Sequence, residues 1–192
     1  MIKVFTTVTA IFLSGCIGTT QAPMKDYTFQ CNDVDIKTSS KPKYDKILKI
    51  ALPNSLSALS RRSIVYSLHG SKIGNYAYSQ WIDTPSELLQ NIFLRTLTAS
   101  NLFKAVLSPA SSAKSDLLLE SEILQFIHDV EKKSVKIKIF MVLLDQRSKT
   151  LIKSKLFSYE QKVEEQSAKG AVDAFNIVLA QLQNELLLWL EE

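Results

Sequence analysis

The chain has 192 residues, 46% hydrophobic and 22% charged, a composition and length that suit one globular domain with a sizeable core. The formal net charge is +4, with acidic and basic residues interspersed, so no basic stripe argues for nucleic acid. Five glycines and two histidines leave no glycine-rich phosphate cradle and few imidazole bases.

Lys3 is a short basic region and Val4 to Leu13 an apolar stretch broken mainly by threonines. A membrane-crossing helix needs about 20 apolar residues and this run is roughly half that, so residues 1–15 read as a removable signal peptide. Leu13-Ser14-Gly15-Cys16 closes it and resembles the bacterial lipobox, in which small residues admit the peptidase and the cysteine thiol, here Cys16, carries the lipid. Ile17 stands where an aspartate commonly holds such proteins at the inner membrane, so the expected location is the periplasmic face of the outer membrane. With Cys16 lipidated, Cys31 is a lone thiol, no intramolecular disulfide forms, and the lack of a nearby histidine argues against a nucleophile.

Residues 16–45 are rich in Ser, Thr, Lys and Pro and read as a lipidated N-terminus and tether, with a first edge segment around Tyr27-Thr28-Phe29. Residues 46–192 form the domain. Leu48, Ile50 and Leu52 alternate on a strand ended by Pro53, and Arg62 to Leu68 with Gly74 to Tyr78 suggest a hairpin turned by residues 69–72. Thr84-Pro85-Ser86-Glu87 is a capping box with proline at the first helical position. The spacing of Leu89, Phe93 and Leu97 carries that helix to about Ser100, where Asn101 stops it.

A short strand, Leu102 to Val106, precedes three long ones arranged as an antiparallel meander. Asp116 to Ile127 alternates irregularly, Val135 to Leu143 keeps strict period two, and Leu151 to Tyr159 is the third. Lys136 and Lys138, two apart, read as a solvated sheet face rather than a lipid-headgroup site, and Glu120 and Glu122 likewise. A closing helix from about Ser167 sets Ala171, Phe175, Val178, Leu182, Leu186 and Trp189 on one stripe. Glu185, Glu191 and Glu192, with no lysine beside them, favour core packing over membrane insertion. The fold class expected is α+β, a mostly antiparallel sheet with two helices packed on one face.

No Gly-x-Ser-x-Gly elbow is present, and neither His69 nor His128 has the helical i, i+4 partner of a zinc site. No catalytic residue, metal or cofactor is expected, and binding is favoured over catalysis. Tyr66, Tyr76, Tyr78 and Trp81 are the candidate partner-binding residues, because amphipathic rings supply contact area at low entropic cost.

Leu52-Pro53, Ser63-Ile64-Val65-Tyr66, Tyr76-Ala77-Tyr78-Ser79-Gln80-Trp81, Pro85, Leu88-Leu89, Leu97 and Leu102-Phe103 together resemble the ABC-type transport auxiliary lipoprotein family. Asp116-Leu117-Leu118-Leu119, Phe126 and Trp189 extend the likeness over nearly all of the mature chain. The resemblance implies a non-enzymatic, lipid-anchored accessory whose partners are an MCE-domain protein, an ABC permease and an ATPase, moving lipids between two membranes. The lipoprotein of the paraquat-inducible MCE system is similar. Self-association into a homo-oligomer is compatible with that role, and a structural or assembly lipoprotein of an outer-membrane complex is the alternative. The polar stretch between Pro53 and Arg62 and the extra Cys31 depart from the family pattern.

Overall fold

The computed structural model describes residues 22–30, 42–70 and 72–192. The signal segment, Cys16 with its expected lipid, and Cys31 lie outside them.

Strict alternation carries the centre of the sheet. In β8 (Ser134–Asp145) the side chains of Val135, Ile137, Ile139, Met141 and Leu143 all point inward and are buried, while Lys138 and Phe140 between them face solvent. β7 (Leu117–Asp129) and β9 (Thr150–Lys162) flank β8 in long antiparallel ladders, joined by turns in which Lys133 and Lys149 adopt positive φ. This is the expected meander.

The other edge of β7 is shared end to end by shorter strands, each parallel to it. β2 (Tyr44–Ile50) pairs with Leu117 to Leu119, β3 (Asn54–Ser55) with Glu122 and Ile123, and β4 (Ser63–Leu68) with His128 and Asp129. A 3-10 turn at Ser57–Leu59 links β3 to β4. β5 (Lys72–Trp81) returns antiparallel on β4, completing the hairpin, with His69 and Gly70 at positive φ in its turn. β1 (Lys25–Tyr27) adds parallel to the end of β5, and β6 (Phe103–Leu107) parallel to β2. The sheet is therefore mixed rather than purely antiparallel: the antiparallel ladders hold most of the paired residues, and the joints of β2, β3 and β4 onto β7 are parallel.

β7 also contains the reason for its irregular alternation. Its register against β8 shifts between Ile123 and Gln125, a bulge that places Leu124 and Gln125 opposite one step of β8. Leu117, Leu119 and Ile123 face inward before it, and Phe126 and His128 face inward after it.

Two helices cover the inner face. α1 (Pro85–Ser100) begins with the predicted box, Thr84 accepting from the Glu87 amide and Glu87 from that of Thr84, and ends at Asn101 in the left-handed conformation. α2 (Ala168–Glu191) starts at Ser167, whose side chain accepts from Gly170 N. No basic residue occupies its last turn, yet its final carbonyls are satisfied from other elements. Lys153 of β9 donates to Trp189 O, Lys43 to Glu191 O, and the Tyr44 hydroxyl to Leu190 O. Between the helices, Gln183 donates to Thr96 Oγ1 at 2.7 Å, a buried polar tie in an otherwise apolar contact.

Thr84→Ala removes the box while leaving the apolar stripe of α1 intact. The expected loss is about 1 kcal/mol in a urea unfolding experiment.

Candidate functional site

The β4–β5 hairpin brings the aromatic candidates together, and it does so by two backbone devices. Tyr66 of β4 lies directly opposite Gly74 of β5. A Cβ at position 74 would stand 2.5 Å from the Tyr66 ring, so the ring lies flat across the strand only because this residue is glycine. The second device is a register break: the ladder passes from Val65 opposite Asn75 to Ser63 opposite Gln80, so β5 carries extra residues there. Tyr76 and Tyr78 both lie in this stretch.

Their environments differ. Tyr78 is exposed over 49% of its surface. Tyr66 and Tyr76 are half-buried and meet edge to face, with ring centroids 5.1 Å apart. The Tyr76 hydroxyl hydrogen-bonds with His128 Nδ1 at 2.7 Å, and the two rings lie nearly parallel. His128 is fully buried on the inner face of β7, and its Nε2 has no partner of hydrogen-bond geometry among the described residues, with the Gln166 side chain close to the ring. Burial is the main influence on both groups. It pushes the Tyr76 hydroxyl above its ordinary pKa, helped by Tyr66, and pulls His128 below its own, opposed by Gln166 and Asp129.

Trp81, expected among the gripping aromatics, is a core residue with 1% of its surface exposed. It sits at the end of β5 amid three rings from other elements: Phe29 beyond β1 at 4.8 Å, Phe126 of β7 at 6.0 Å and Phe175 of α2 at 5.8 Å between centroids. Phe126 and Phe175 stack at 4.3 Å. The physical reason is position: Trp81 ends the strand where β1, β7 and α2 converge, and a side chain that large closes the space between them. Its carbonyl accepts from Arg62 Nε at 2.9 Å, and Arg62 also pairs with Asp26 at 2.8 Å, which fastens β1 to the hairpin. Thus Tyr66 and Tyr76 form one unit with His128, Tyr78 is half exposed on the same strand, and Trp81 at the end of that strand is packed into the core. Sequence reasoning missed the His128 link, because only the parallel joint of β4 on β7 brings His128 next to Tyr76.

Elsewhere, Lys136 pairs with Asp129 at 2.7 Å, both mostly buried, and this ion pair holds the Asp129 carboxyl below its usual range. Tyr159 donates to Glu185, which Lys155 pairs with at 2.8 Å, and burial drives the Tyr159 hydroxyl far upward. Both are structural clamps on sheet and helix. Among the described residues no group of three or more His, Cys, Asp or Glu side chains gathers, and no helix is long and apolar enough to cross a membrane.

Trp81→Ala should cost about 3–5 kcal/mol, the range for emptying a large aromatic site, and is expected to lower the thermal midpoint sharply. A second prediction concerns acid. The unfolded chain takes up a proton at His128 near pH 6.5, whereas the folded ring resists it. Stability should therefore fall as the pH drops through about 6.5 and level off once the folded ring protonates at its lower pKa. Urea titrations of wild type and His128→Gln, compared at pH 7.5 and 5.5, are expected to show a smaller loss in the variant.

A family model for the ABC-type transport auxiliary lipoprotein component matches residues 27–186. No curated protein sequence matches the chain. Among solved structures, protein XCC0632 from Xanthomonas campestris is similar at 18% identity and TM-score 0.74, with 86% of this chain and 94% of that one covered. An uncharacterized protein is similar at 15% identity and TM-score 0.67, over 85% and 96% of the two chains. Protein CT253 from Chlamydia trachomatis follows at 11% identity and TM-score 0.51, over 77% and 96%. At these identities the structures show a shared fold alone. The family match runs from Tyr27 at the end of β1 to Leu186 in the last turns of α2, which is nearly the whole of the fold described, and the chain accordingly belongs to the ABC-type transport auxiliary lipoprotein component family.

Proposed function

We propose that the protein is a non-catalytic lipoprotein that docks an ABC/MCE-type lipid transporter to the outer membrane from the periplasmic side. Membership of the family makes it an auxiliary of an ABC-type transporter and implies a membrane-anchored lipoprotein. The finer reading adds residues 1–15 as a signal peptide, a lipid chain on Cys16, and residues 16–45 as a tether that itself lends β1 and the buried Phe29 to the domain of residues 46–192. Its partners are an MCE-domain protein with the permease and ATPase of the same system.

The observation that carries this reading is the family match over almost the entire domain, which leaves no second domain for an unrelated activity within the described residues. The hairpin supports it. Tyr78 offers a half-exposed ring on a strand whose neighbours Tyr66 and Tyr76 are locked by Gly74 and His128, so contact there costs little ordering. Tyr78 is the proposed contact residue, with Tyr66 and Tyr76 as its supporting surface and Trp81 as their buried anchor.

The test is affinity capture of the lipidated protein from solubilised membranes, with partners identified by mass spectrometry. Recovery of an MCE-domain protein, or of its permease and ATPase, is expected. Tyr78→Ala should reduce that recovery several-fold with an unchanged thermal midpoint, since truncating an interface tyrosine costs about 1–2 kcal/mol. Recovery of outer-membrane assembly proteins alone would overturn the transport role in favour of a structural one.

A further inference from the structure

Among the described residues, helices cover the inner face of the sheet and no element covers the outer one, whose chemistry is uneven. Leu56 beyond β3, Ile73 of β5 and Leu124 of β7 are 64%, 64% and 43% exposed, and they converge on one groove whose floor is completed by Val65 and Ile127. Leu124 faces this side by the ordinary alternation that puts Ile123 in the core, and the β7 bulge that follows turns Ile127 to the same side while Phe126 returns to the core. Separate exposed leucines are unremarkable, but apolar residues gathered from three elements into a concavity mark a binding site.

The groove measures about 630 Å³, within the range of small-molecule sites. At roughly 30 Å³ per methylene, about the share of a water molecule, an acyl chain of about sixteen carbons can be accommodated along it.

Lysines border the apolar floor on one side. Lys136 is committed to Asp129 at 2.7 Å, with Glu160 at 3.9 Å. Lys138, one step along the same face of β8, is exposed and makes no ion pair among the described residues; Lys132, in the turn beside it, is exposed as well. The acidic groups on the groove are Asp129, already paired with Lys136, and Glu131 in the 130–133 turn. A positive charge with no ion-pair partner among the described residues, beside an apolar floor that none of them covers, complements one kind of ligand. We propose that this groove binds a single-chain anionic amphiphile, its acyl chain over Leu124, Ile73 and Leu56 and its anionic group at Lys138. The shared chemistry is a monoanionic head on one chain, as in a fatty acid or a lysophospholipid.

The site stands apart from the docking role, since Tyr78 does not line it. The experiment is native mass spectrometry of the full chain in nonionic detergent, titrated separately with palmitate, palmitoyl lysophosphatidylglycerol and the neutral monopalmitin. One adduct per chain is expected with at least one of the anions, and whichever binds identifies the source of the head. Monopalmitin should bind about fivefold more weakly, and Lys138→Glu and Leu124→Asp should each weaken the anionic adduct by about the same factor, from the loss of charge pairing and of apolar contact. Both variants are to be checked for an unchanged thermal midpoint, and Lys138→Glu alone decides if Leu124→Asp unfolds. No adduct with either anion, equal affinity for monopalmitin, or binding undiminished in folded Lys138→Glu would overturn the proposal. None of these results alters the outcome of affinity capture with Tyr78→Ala.

Discussion

The backbone of β7 is the constraint from which the rest of the architecture follows. One of its edges is taken by β8 along its full length, and the other is divided among β2, β3 and β4, so that four strands depend on hydrogen bonds to a single segment. The bulge after Ile123 sits in the middle of that segment and fixes which residues of each half turn inward. A change of one residue in this register would send Phe126 and His128 to the solvent face and break both the four-ring cluster and the Tyr76 hydrogen bond. Aromatic core, tyrosine unit and outer groove are thus three consequences of one irregular ladder.

Local signals in the sequence were readable where they are self-contained. The capping box at Thr84, the left-handed stop at Asn101, the Ser167 start and the strict alternation of Val135 to Leu143 each depend on a handful of neighbours, and each appears in the structure. The mixed alternation of β7 was visible but not interpretable, because a bulge and a poorly patterned strand look alike until the partner strand is known. The parallel joints were not legible: β2, β3 and β4 meet β7 across long sequence separations, and nothing in their own residues states direction. That gap explains the fate of the aromatic candidates. An interface tryptophan and a core tryptophan share one composition, and only the convergence of Phe29, Phe126 and Phe175 assigns Trp81 to the core. Lys136 shows a similar limit, since the alternation that predicts a solvated lysine does not predict its pairing with Asp129 seven residues earlier.

The two faces of the sheet divide their work. The inner face is closed by α1 and α2 with polar ties chosen to finish helix ends, as where Lys153, Lys43 and Tyr44 complete the last carbonyls of α2 from two different strands and their approaches. The outer face keeps its apolar residues without such cover among the described residues. The ABC-type transport auxiliary lipoprotein family suits this division, with a stiff body on one side and, as proposed above, recognition surfaces at the hairpin and the groove.

The attachment of β1 has a mechanical meaning. It joins the body through three backbone positions parallel to β5, the bonds of Asp26 to Arg62 and Gln80, and, just after it, the seat of Phe29 against Trp81 and Phe126 and the Gln30 amide donating to Asn176 Oδ1. A pull arriving along the chain ahead of Lys25 meets these contacts before it reaches any strand of the meander. Because β1 lies at the sheet margin, its detachment would leave the ladders around β7 paired. The fold therefore has a yielding link at its first strand and a rigid frame behind it, and a sudden load would lengthen the connection by a few residues before it threatened the folded body.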